Sequence, residues 1–376
     1  SVVFELLCPN NCLTIRIYLL DVLDACTSAL QIQIGSQFIG GGAPVTVQSM
    51  TNTDTRDAQA TLLQINDLHQ AGCEIMRVAV PDQEAAEALS QIVDACPIPL
   101  VADIHFDYRL ALASLEAGVD AIRINPGNIG ADWKVKEIVE KAKFHHAAIR
   151  VGVNAGSLEK RFLSQGLGIQ SQHLVDSVLD QVNLLESLGF SSIVLSAKSS
   201  SVPLFVETNR KLSAATDYPL HLGVTEAGFG LPGIVKSTAG LSILLAEGIG
   251  DTIRVSLTGD SVQEVEVGVS LLHALNLRQG GIEWVSCPTC GRTQVDLVFL
   301  AKEAKKRLAH IQTPYVIAIM GCEVNGPGEA QNADFGIAGG KGRGVLFQSG
   351  VIVKTVPENQ LIDALVDLVE SAERKE

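Results

Sequence analysis

Eight short apolar segments rich in β-branched residues recur between residues 45 and 275, and each is followed by a stretch of helical periodicity. They are VTVQSM from Val45, IMRVAV from Ile75, PLVADIH from Pro99, AIRINP from Ala121, AIRVGVN from Ala148, SIVLSAK from Ser192, LHLGVTEA from Leu220 and DTIRVSL from Asp251. Eight consecutive strand–helix units predict an α/β fold, a closed (β/α)8 barrel of the TIM type with parallel strands. An open doubly wound sheet is the alternative, and the lack of a GxGxxG turn after the first strand disfavours it.

Glycine residues mark the predicted ends of three of the intervening helices. Glycine follows the periodic stretches at Gly72, Gly118 and Gly189. Because glycine adopts positive φ at little cost, it commonly stands just past the last helical residue. We therefore expect these helices to end there and the chain to turn back toward the next strand.

Length and charge limit the function classes open to this chain. Its 376 residues suit two domains, and 42 acidic against 28 basic residues give a formal net charge of −14. Such an acidic chain is a poor general surface for nucleic acids or anionic membranes. No apolar run approaches the roughly 18–20 residues of a spanning helix, and the first residues lack the basic stretch of a secretory signal. The 8 cysteines are too few for a disulfide scaffold, so we expect a cytoplasmic protein.

Within the predicted strands, cations recur at positions that alternate with apolar residues. Five strands contribute one each, namely Arg77, Arg123, Arg150, Lys198 and Arg254. In a barrel the apolar phase packs against the helices and the other phase points inward, so most of these cations are expected inside. The two acids expected nearby, Asp103 and Glu226, are too few to neutralise them. The pattern predicts a highly anionic, phosphorylated ligand at the carboxyl ends of the strands.

After residue 278 the pattern changes, and residues 282–376 are predicted to form a small α+β domain. The strand IEWVSCP leads into CPTCG, and the strand YVIAIMG leads into GCEVNGPGEA. Cys287, Cys290 and Cys322 therefore lie in loops that follow strands, and Glu329 stands a few residues beyond the last of them. Three thiolates and one other ligand favour a [4Fe–4S] cluster, while a zinc site and a chance grouping remain alternatives. The third cysteine disfavours a redox pair of the thioredoxin type.

Ordered motifs along the chain carry a resemblance to a known family. They are DIHFDYRLAL from Asp103, RINPGNIG from Arg123, RVGVNAGSLEK from Arg150, HLGVTEAG from His221, EGIGDTIRVSLTGD from Glu247, CPTCGR from Cys287 and GCEVNGPGEA from Gly321. From about Ile34 to the C-terminal helix, the chain resembles the 4-hydroxy-3-methylbut-2-enyl diphosphate synthases of the methylerythritol phosphate route to isoprenoids. The resemblance implies a substrate-binding barrel over residues 34–278 and a [4Fe–4S] domain over residues 282–376. It implies 2-C-methyl-D-erythritol 2,4-cyclodiphosphate as the substrate.

The resemblance also implies a role for each matched residue. Substrate binding is assigned to Arg77, Asp103, His105, Arg123, Asn125, Arg150, Asn154, Lys198, Thr225, Arg254 and Ser256. Cluster binding is assigned to Cys287, Cys290, Cys322 and Glu329. Glu226 is expected to be the acid/base group near the substrate hydroxyls, with an inward ion pair to Lys198 or Arg254 as the alternative. For Glu329, the alternative is a plain turn residue.

The same resemblance implies the reaction and the partners. It predicts reductive ring opening and dehydration of the cyclodiphosphate, with flavodoxin or ferredoxin as the electron donor. A homodimer is implied, in which the cluster domain of one chain closes over the barrel of the other. The segment of residues 1–33 departs from the family pattern, because it is longer than the corresponding segment of family members and nearly free of cations. We assign it no role. Its cysteines, Cys8, Cys12 and Cys26, are not predicted to be ligands.

Two rival classes are consistent with parts of the sequence. A pterin-type barrel transferase also binds phosphorylated or acidic ligands, but the barrel alone leaves the cysteine loops unexplained, so this alternative needs a structural metal in the second domain. A zinc-stabilised binding module without enzymatic activity leaves the inward arginines unexplained. Iron content separates the three, because only the cluster hypothesis predicts brown protein with about four irons per chain.

Overall fold

The computed structural model describes residues 28–158, 170–278, 280–322, 328 and 330–374. The chain divides into two compact units, Ser1–Arg278 and Gln279–Glu376. The predicted cluster ligand Glu329 lies outside the described residues, as do Cys8, Cys12 and Cys26.

Eight parallel strands form the centre of the first unit. They are β3 (Thr46–Met50), β4 (Ile75–Ala79), β5 (Leu100–Asp103), β6 (Ala121–Ile124), β7 (Ala148–Asn154), β8 (Ile193–Lys198), β9 (His221–Leu222) and β10 (Thr252–Ile253). Neighbours pair in the order β8-β7-β6-β5-β4-β3-β10-β9, and a parallel bridge between Leu195 and Leu220 joins the two ends. The predicted closed barrel is confirmed, because every strand has a neighbour on both sides.

Helices follow the strands around the outside of the ring. They are α1 (Ala58–Gln70), α2 (Gln83–Ala95), α3 (Tyr108–Glu116), α4 (Pro126–Ile129), α5 (Asp132–Phe144), α6 (Ser171–Ser187), α7 (Val202–Ala215), α8 (Gly230–Ala246) and α9 (Ser261–Ala274), with a 3-10 turn at Ala155–Ser157. Gly72, Gly118 and Gly189 follow three of them with φ of 105°, 90° and 68°. These positive values confirm the glycine ends expected from the sequence.

The outward side chains of the strands pack against these helices in one large apolar core. Ile122, Ile124, Val151 and Val153 belong to it and are essentially fully buried. Because side chains alternate along a strand, the residues between them face the inside of the ring. The inward phase therefore carries the cations, which sets the chemistry of the barrel interior.

A hairpin that the sequence analysis did not foresee covers the N-terminal end of the barrel. Its strands are β1 (Gln31–Ile34) and β2 (Gln37–Gly40), which pair antiparallel. Ile32, Ile34 and Ile39 form a buried cluster with residues that begin the barrel strands, Ile75 and Ala121 among them. The hairpin thus includes the last three residues of the segment 1–33, for which no role was predicted.

The second unit is built on a five-stranded mixed sheet. Its strands are β11 (Glu283–Ser286), β12 (Val316–Met320), β13 (Phe335–Gly340), β14 (Arg343–Gln348) and β15 (Val351–Pro357), in that spatial order. The first three are parallel, and the remaining pairs are antiparallel. Helices α10 (Leu297–Arg307) and α11 (Leu361–Glu373) share one apolar core with this sheet, and a 3-10 turn at Glu358–Gln360 precedes α11. Within the described ranges, no helix combines the length and apolar character that crossing a membrane requires.

Candidate active site in the barrel and the cysteine loops

A polar cavity of about 120 Å³ lies at the carboxyl ends of the barrel strands. Its wall consists of Arg77, Asp103, His105, Arg123, Arg150, Asn154, Ser196, Lys198, Thr225, Arg254 and Ser256. The structure therefore brings all five predicted cations into one small space. In barrels of this type, the carboxyl ends of the strands are where ligands bind.

Asp103 is the acid at the centre of this cation group. It is buried, its Oδ1 lies 3.3 Å from Arg123 Nη1, and its Oδ2 lies 3.8 Å from Arg77 Nε. Burial favours the neutral carboxyl group, but the positive charges of Arg77 and Arg123 outweigh it and lower the pKa of Asp103. Asp103 is therefore a carboxylate that holds two arginines in place.

Arg150 lies deepest among the cations and has no carboxylate partner in the described part of the chain. It is 4% exposed, and one of its guanidinium nitrogens donates to Gln48 Oε1. Its Nη2 is buried without a hydrogen-bond partner among the residues that the structure describes. Burial lowers the pKa of Arg150, and the charge of Arg77 adds to that effect. An unsatisfied, buried guanidinium nitrogen in a cavity is what an anionic ligand would satisfy.

Arg254 is balanced by an acid from outside the strands. Its Nη2 lies 3.6 Å from Oε2 of Glu264, which is buried in α9, and Glu264 Oε1 accepts a hydrogen bond from Leu257 N at 2.7 Å. Burial raises the pKa of Glu264, with Arg254 opposing it. Arg254 Nη1 and Arg77 Nη2 also approach the sulfur of Met50 at 3.7 and 2.9 Å. Five cations thus face two carboxylates, Asp103 and Glu264, which leaves the described cavity strongly positive.

Two glycines make room for the cations on neighbouring strands. A Cβ atom on Gly152 would lie 2.5 Å from Arg123 Nε, and one on Gly223 would lie 2.7 Å from the Arg254 carbonyl oxygen and 3.0 Å from Lys198 Nζ. Arg123 Nη2 also donates to the Gly152 carbonyl oxygen at 3.3 Å. Neither glycine has positive φ, so it is this close approach, and not backbone freedom, that excludes a side chain there.

Two predicted site residues lie beside the cavity wall. Asn125 is buried, and its Oδ1 accepts a hydrogen bond from Gly127 N at 3.1 Å, which caps the short helix α4. Glu226 follows Thr225 in the loop after β9 and has φ of 53°, a backbone conformation that residues other than glycine rarely adopt. Its side chain is exposed, and its carboxylate forms no ion pair with any described residue. Since Arg254 pairs with Glu264, the alternative role of Glu226 as its partner finds no support in the described contacts.

Several residues around the cavity were missed by the sequence analysis. They are Gln48, Met50, Ser196, His221 and Glu264. Gln48 and Met50 lie on the inward phase of the first strand, so the alternation rule that identified the arginines could have identified them too. Glu264 carries no such signal because it reaches the barrel from a helix. His221 is the first residue of β9, where a single polar residue among apolar ones resembles an ordinary buried histidine.

In the second unit, two of the predicted ligands follow neighbouring parallel strands. Cys287 comes directly after β11, and Cys322 comes two residues after β12. Cys287 Sγ accepts a hydrogen bond from Gly321 N at 3.2 Å, which brings the two loops together. Cys290 is exposed, and hydrogen bonds from the backbone and side chain of Arg292 lower its pKa. A lowered pKa favours the thiolate, the form that binds metals.

The types of ligand present fit an iron–sulfur group, but the described residues are not gathered around one metal position. Cys287, Cys290 and Cys322 are all free thiols, and an N–H···S hydrogen bond of the kind made by Gly321 tunes iron–sulfur sites. Over the described ranges, however, no three His, Cys, Asp or Glu residues are close enough together to hold a single metal ion. The fourth predicted ligand, Glu329, lies outside those ranges.

Comparisons with known proteins cover both units. A family model described as the GcpE TIM-barrel domain matches residues 29–269, and one described as the GcpE protein C-terminal domain matches residues 283–371. The curated protein named 4-hydroxy-3-methylbut-2-en-1-yl diphosphate synthase (flavodoxin) from Geobacter sulfurreducens is 57% identical over 90% of this chain and 96% of its own length. Proteins of the same name from Symbiobacterium thermophilum and Clostridium tetani are 55% and 52% identical, over 90% and 91% of this chain and 92% and 98% of their own lengths.

A comparison with solved structures gives matches that are much more distant in sequence than these relatives. A 7,8-dihydropteroate synthase from Vibrio fischeri is 14% identical, with a TM-score of 0.48 over 66% of this chain and 98% of that chain. Similarity at this level carries no information on substrate or reaction.

Proposed function

This chain belongs to the GcpE family, and we propose that it converts 2-C-methyl-D-erythritol 2,4-cyclodiphosphate into 4-hydroxy-3-methylbut-2-enyl diphosphate. The observation that carries the proposal is the cavity in which five cations meet two carboxylates. A cyclic diphosphate supplies the missing negative charge. The pterin-type transferase is not favoured, because relatives at 52–57% identity bear the name of the synthase.

The cations act on the diphosphate. In the reaction the bond between C2 and the ring oxygen breaks, two electrons enter, and the C3 hydroxyl leaves as water. Arg77, Arg123, Arg150, Lys198 and Arg254 would hold the phosphoryl oxygens throughout, so the ring opens without loss of the product's diphosphate from the site. Because these groups are fixed before the substrate arrives, little reorganisation is needed when charge develops on the leaving oxygen.

Glu226 is the proposed proton carrier. It lies next to Thr225, a residue of the cavity wall, and its carboxylate is not committed to an ion pair among the described residues. A carboxyl group there can give a proton to the departing C3 hydroxyl. Its left-handed backbone conformation is the kind of local strain that functional loops often hold.

The electrons require a group that side chains do not provide. The relatives' name specifies flavodoxin, which implies a redox-active cofactor in the enzyme. We propose a [4Fe–4S] cluster held by Cys287, Cys290, Cys322 and Glu329, in a domain formed by residues 282–376. When bound, it would supply single electrons at low potential. The barrel domain, residues 34–278, would supply the substrate site.

The proposed partners follow from the same reading. Flavodoxin is the proposed donor, since the relatives' name specifies it, and ferredoxin is the alternative. We also propose a cytoplasmic homodimer in which one chain's cluster domain closes over the other chain's barrel. No role for nucleic acid or membrane is proposed, given a net charge of −14.

Anaerobic turnover tests the function directly. Full-length protein, reconstituted with iron and sulfide, is incubated with the cyclodiphosphate and reduced flavodoxin or reduced ferredoxin, and the product is identified by mass spectrometry. We expect brown protein with about four irons per chain and turnover with flavodoxin. Arg150→Met should abolish turnover, whereas Arg109→Met, on an exposed arginine paired with Asp107, should not. Colourless protein with one zinc and no turnover with either donor would refute the proposal.

A further inference from the structure

Lys198 has a histidine as its partner, unlike the other cations of the cavity. Arg77 and Arg123 face Asp103, and Arg254 faces Glu264. Lys198 is buried at the end of β8, and its Nζ lies 3.4 Å from Nε2 of His221. The only amine of the cavity wall thus rests on an imidazole ring, which is unusual because both groups can carry positive charge.

The neighbouring residues fix the state of that ring. His221 is 0% exposed, and its Nδ1 lies 3.4 Å from Thr252 Oγ1 on the adjacent strand, where the two residues are register partners. Burial lowers the pKa of Lys198, and an anion bound in the cavity favours its ammonium form. An ammonium group only donates hydrogen bonds, so in that form Nε2 of His221 accepts from Lys198, and Nδ1 carries the proton that is given to Thr252. Burial lowers the pKa of His221, and the charges of Arg150 and Lys198 add to this effect. The ring is therefore neutral and held in one tautomer.

The packing around the amine holds it beside the cavity. Gly223 lies two residues after His221, and a Cβ there would come within 3.0 Å of Lys198 Nζ and 2.7 Å of the Arg254 carbonyl oxygen. The Lys198 side chain belongs to the cavity wall, whereas His221 does not. A four-carbon side chain has several rotamers, and a fixed acceptor behind the amine selects the one that keeps it beside the cavity.

We propose that His221 is a positioning residue, which anchors the Lys198 amine so that it meets the diphosphate in a fixed place. The proposal rests on the proposed function for the identity of the ligand. His221 does not belong to the cavity wall and would act through Lys198 alone. Thr252 supports it by setting the tautomer, so that three residues on β8, β9 and β10 form one hydrogen-bonded row.

A pair of conservative variants tests the anchor. In His221→Gln, the side-chain amide can reach the former position of Nε2, whereas in His221→Asn it reaches only the position of Nδ1. Binding of inorganic pyrophosphate is measured by calorimetry on the full chain. We expect about tenfold weaker binding for His221→Asn, the size of one lost hydrogen bond to a charged group, and near-normal binding for His221→Gln. Wild-type affinity in His221→Asn would refute the proposal.

A double-mutant cycle separates anchoring from general structural support. In the Lys198→Met background, His221 has nothing to position, so His221→Asn should weaken pyrophosphate binding no further. Equal losses in both backgrounds would instead show a structural role and overturn the inference. His221→Leu, which removes both ring nitrogens, is the second variant if His221→Asn does not fold, and the same two outcomes apply.

Turnover gives an independent readout. With the cyclodiphosphate, His221→Asn should raise KM with a smaller change in kcat, because ground-state and transition-state diphosphate lose the same contact. If the wild-type chain turns over no cyclodiphosphate but its pyrophosphate binding still depends on His221 through Lys198, the proposed function fails and the anchor stands. If turnover is normal in His221→Asn and pyrophosphate binding is unchanged, the anchor fails and the function stands.

Discussion

Single residues inside the barrel are arranged for an anion before any anion is bound. Asp103 holds Arg77 and Arg123, Glu264 holds Arg254, and burial lowers the pKa of Arg77 to about 9. Buried charge without full compensation costs free energy, so the excess of cations over carboxylates in the cavity lowers the stability of the folded chain. A bound diphosphate offsets that cost, which links ligand binding to stability.

Replacing Asp103 by asparagine tests this arrangement. Asp103→Asn leaves Arg77 and Arg123 without a counter-charge, so the free energy of unfolding at pH 7 should fall by about 3 kcal/mol, as for other broken buried pairs. Pyrophosphate should raise the melting temperature of the variant by more than it raises that of the wild type. Urea denaturation and thermal melts measure both effects. Asp107→Asn, at an exposed pair that keeps its helix-capping oxygen, should show no resolvable change.

The same substitution predicts a pH dependence of definite sign. The pKa of Asp103 is lowered in the folded chain, so its contribution is present above the unfolded carboxyl pKa of about 3.9 and is lost as pH falls through the folded value. The stability gap between wild type and Asp103→Asn should therefore be constant from pH 8 to pH 5 and narrow only below about pH 4. A gap that closes already between pH 7 and pH 5 would contradict the assigned ion pairs.

Not every residue of the cavity was predictable. The strand phase placed the arginines and Lys198 inside because apolar neighbours fix which face is outward. His221 and Glu264 could not be found in this way, since their importance depends on which strand or helix stands next to them. Periodicity indicates only where side chains point. The chemical roles of individual residues were therefore proposed from the family motifs.

At the scale of elements, the barrel strands were predictable and the hairpin β1–β2 was not. A strand–helix unit that repeats eight times identifies a barrel even where individual strands are short, as β9 and β10 are. The hairpin segment QIQIGSQFIG also alternates, but it stands outside the repeat and has no helix after it. Its buried face is explained only by the open end of the barrel that it covers.

The hairpin makes a prediction that adjacent residues can test. Ile39 is 1% exposed, whereas Phe38, which precedes it on the opposite face, is 48% exposed. Ile39→Ala should lower the free energy of unfolding by about 2–5 kcal/mol, and Phe38→Ala should change it by less than about 0.5 kcal/mol. Because the hairpin covers the N-terminal end and the cavity lies at the other, pyrophosphate affinity should be unchanged in both. Equal destabilisation by the two variants would show that the hairpin does not cover the barrel end with its Ile39 face.

At the scale of the whole molecule, the net charge of −14 and the cationic cavity belong together. Five of the 28 basic residues are drawn into one small space, so the excess of acids falls on the rest of the chain. Such a distribution disfavours binding of large polyanions while it leaves a site for a small one. The separate barrel and cysteine-bearing units then raise the question of which chain's cysteines serve which barrel.

Mixed dimers answer that question. Glu226→Gln disables a barrel and Cys322→Ser disables a cluster site, so each variant alone should be inactive. If the cluster domain of one chain serves the barrel of its partner, a mixed dimer places the intact barrel of one variant opposite the intact cluster of the other. Co-expression in equal amounts should then recover about a quarter of wild-type sites, since half of the dimers are mixed and each has one complete site.

Anaerobic turnover and iron content are measured on the purified mixture, with each variant co-expressed with itself as the control. If each chain's cluster served its own barrel, no site in any dimer would be complete, and the mixture would be as inactive as the controls.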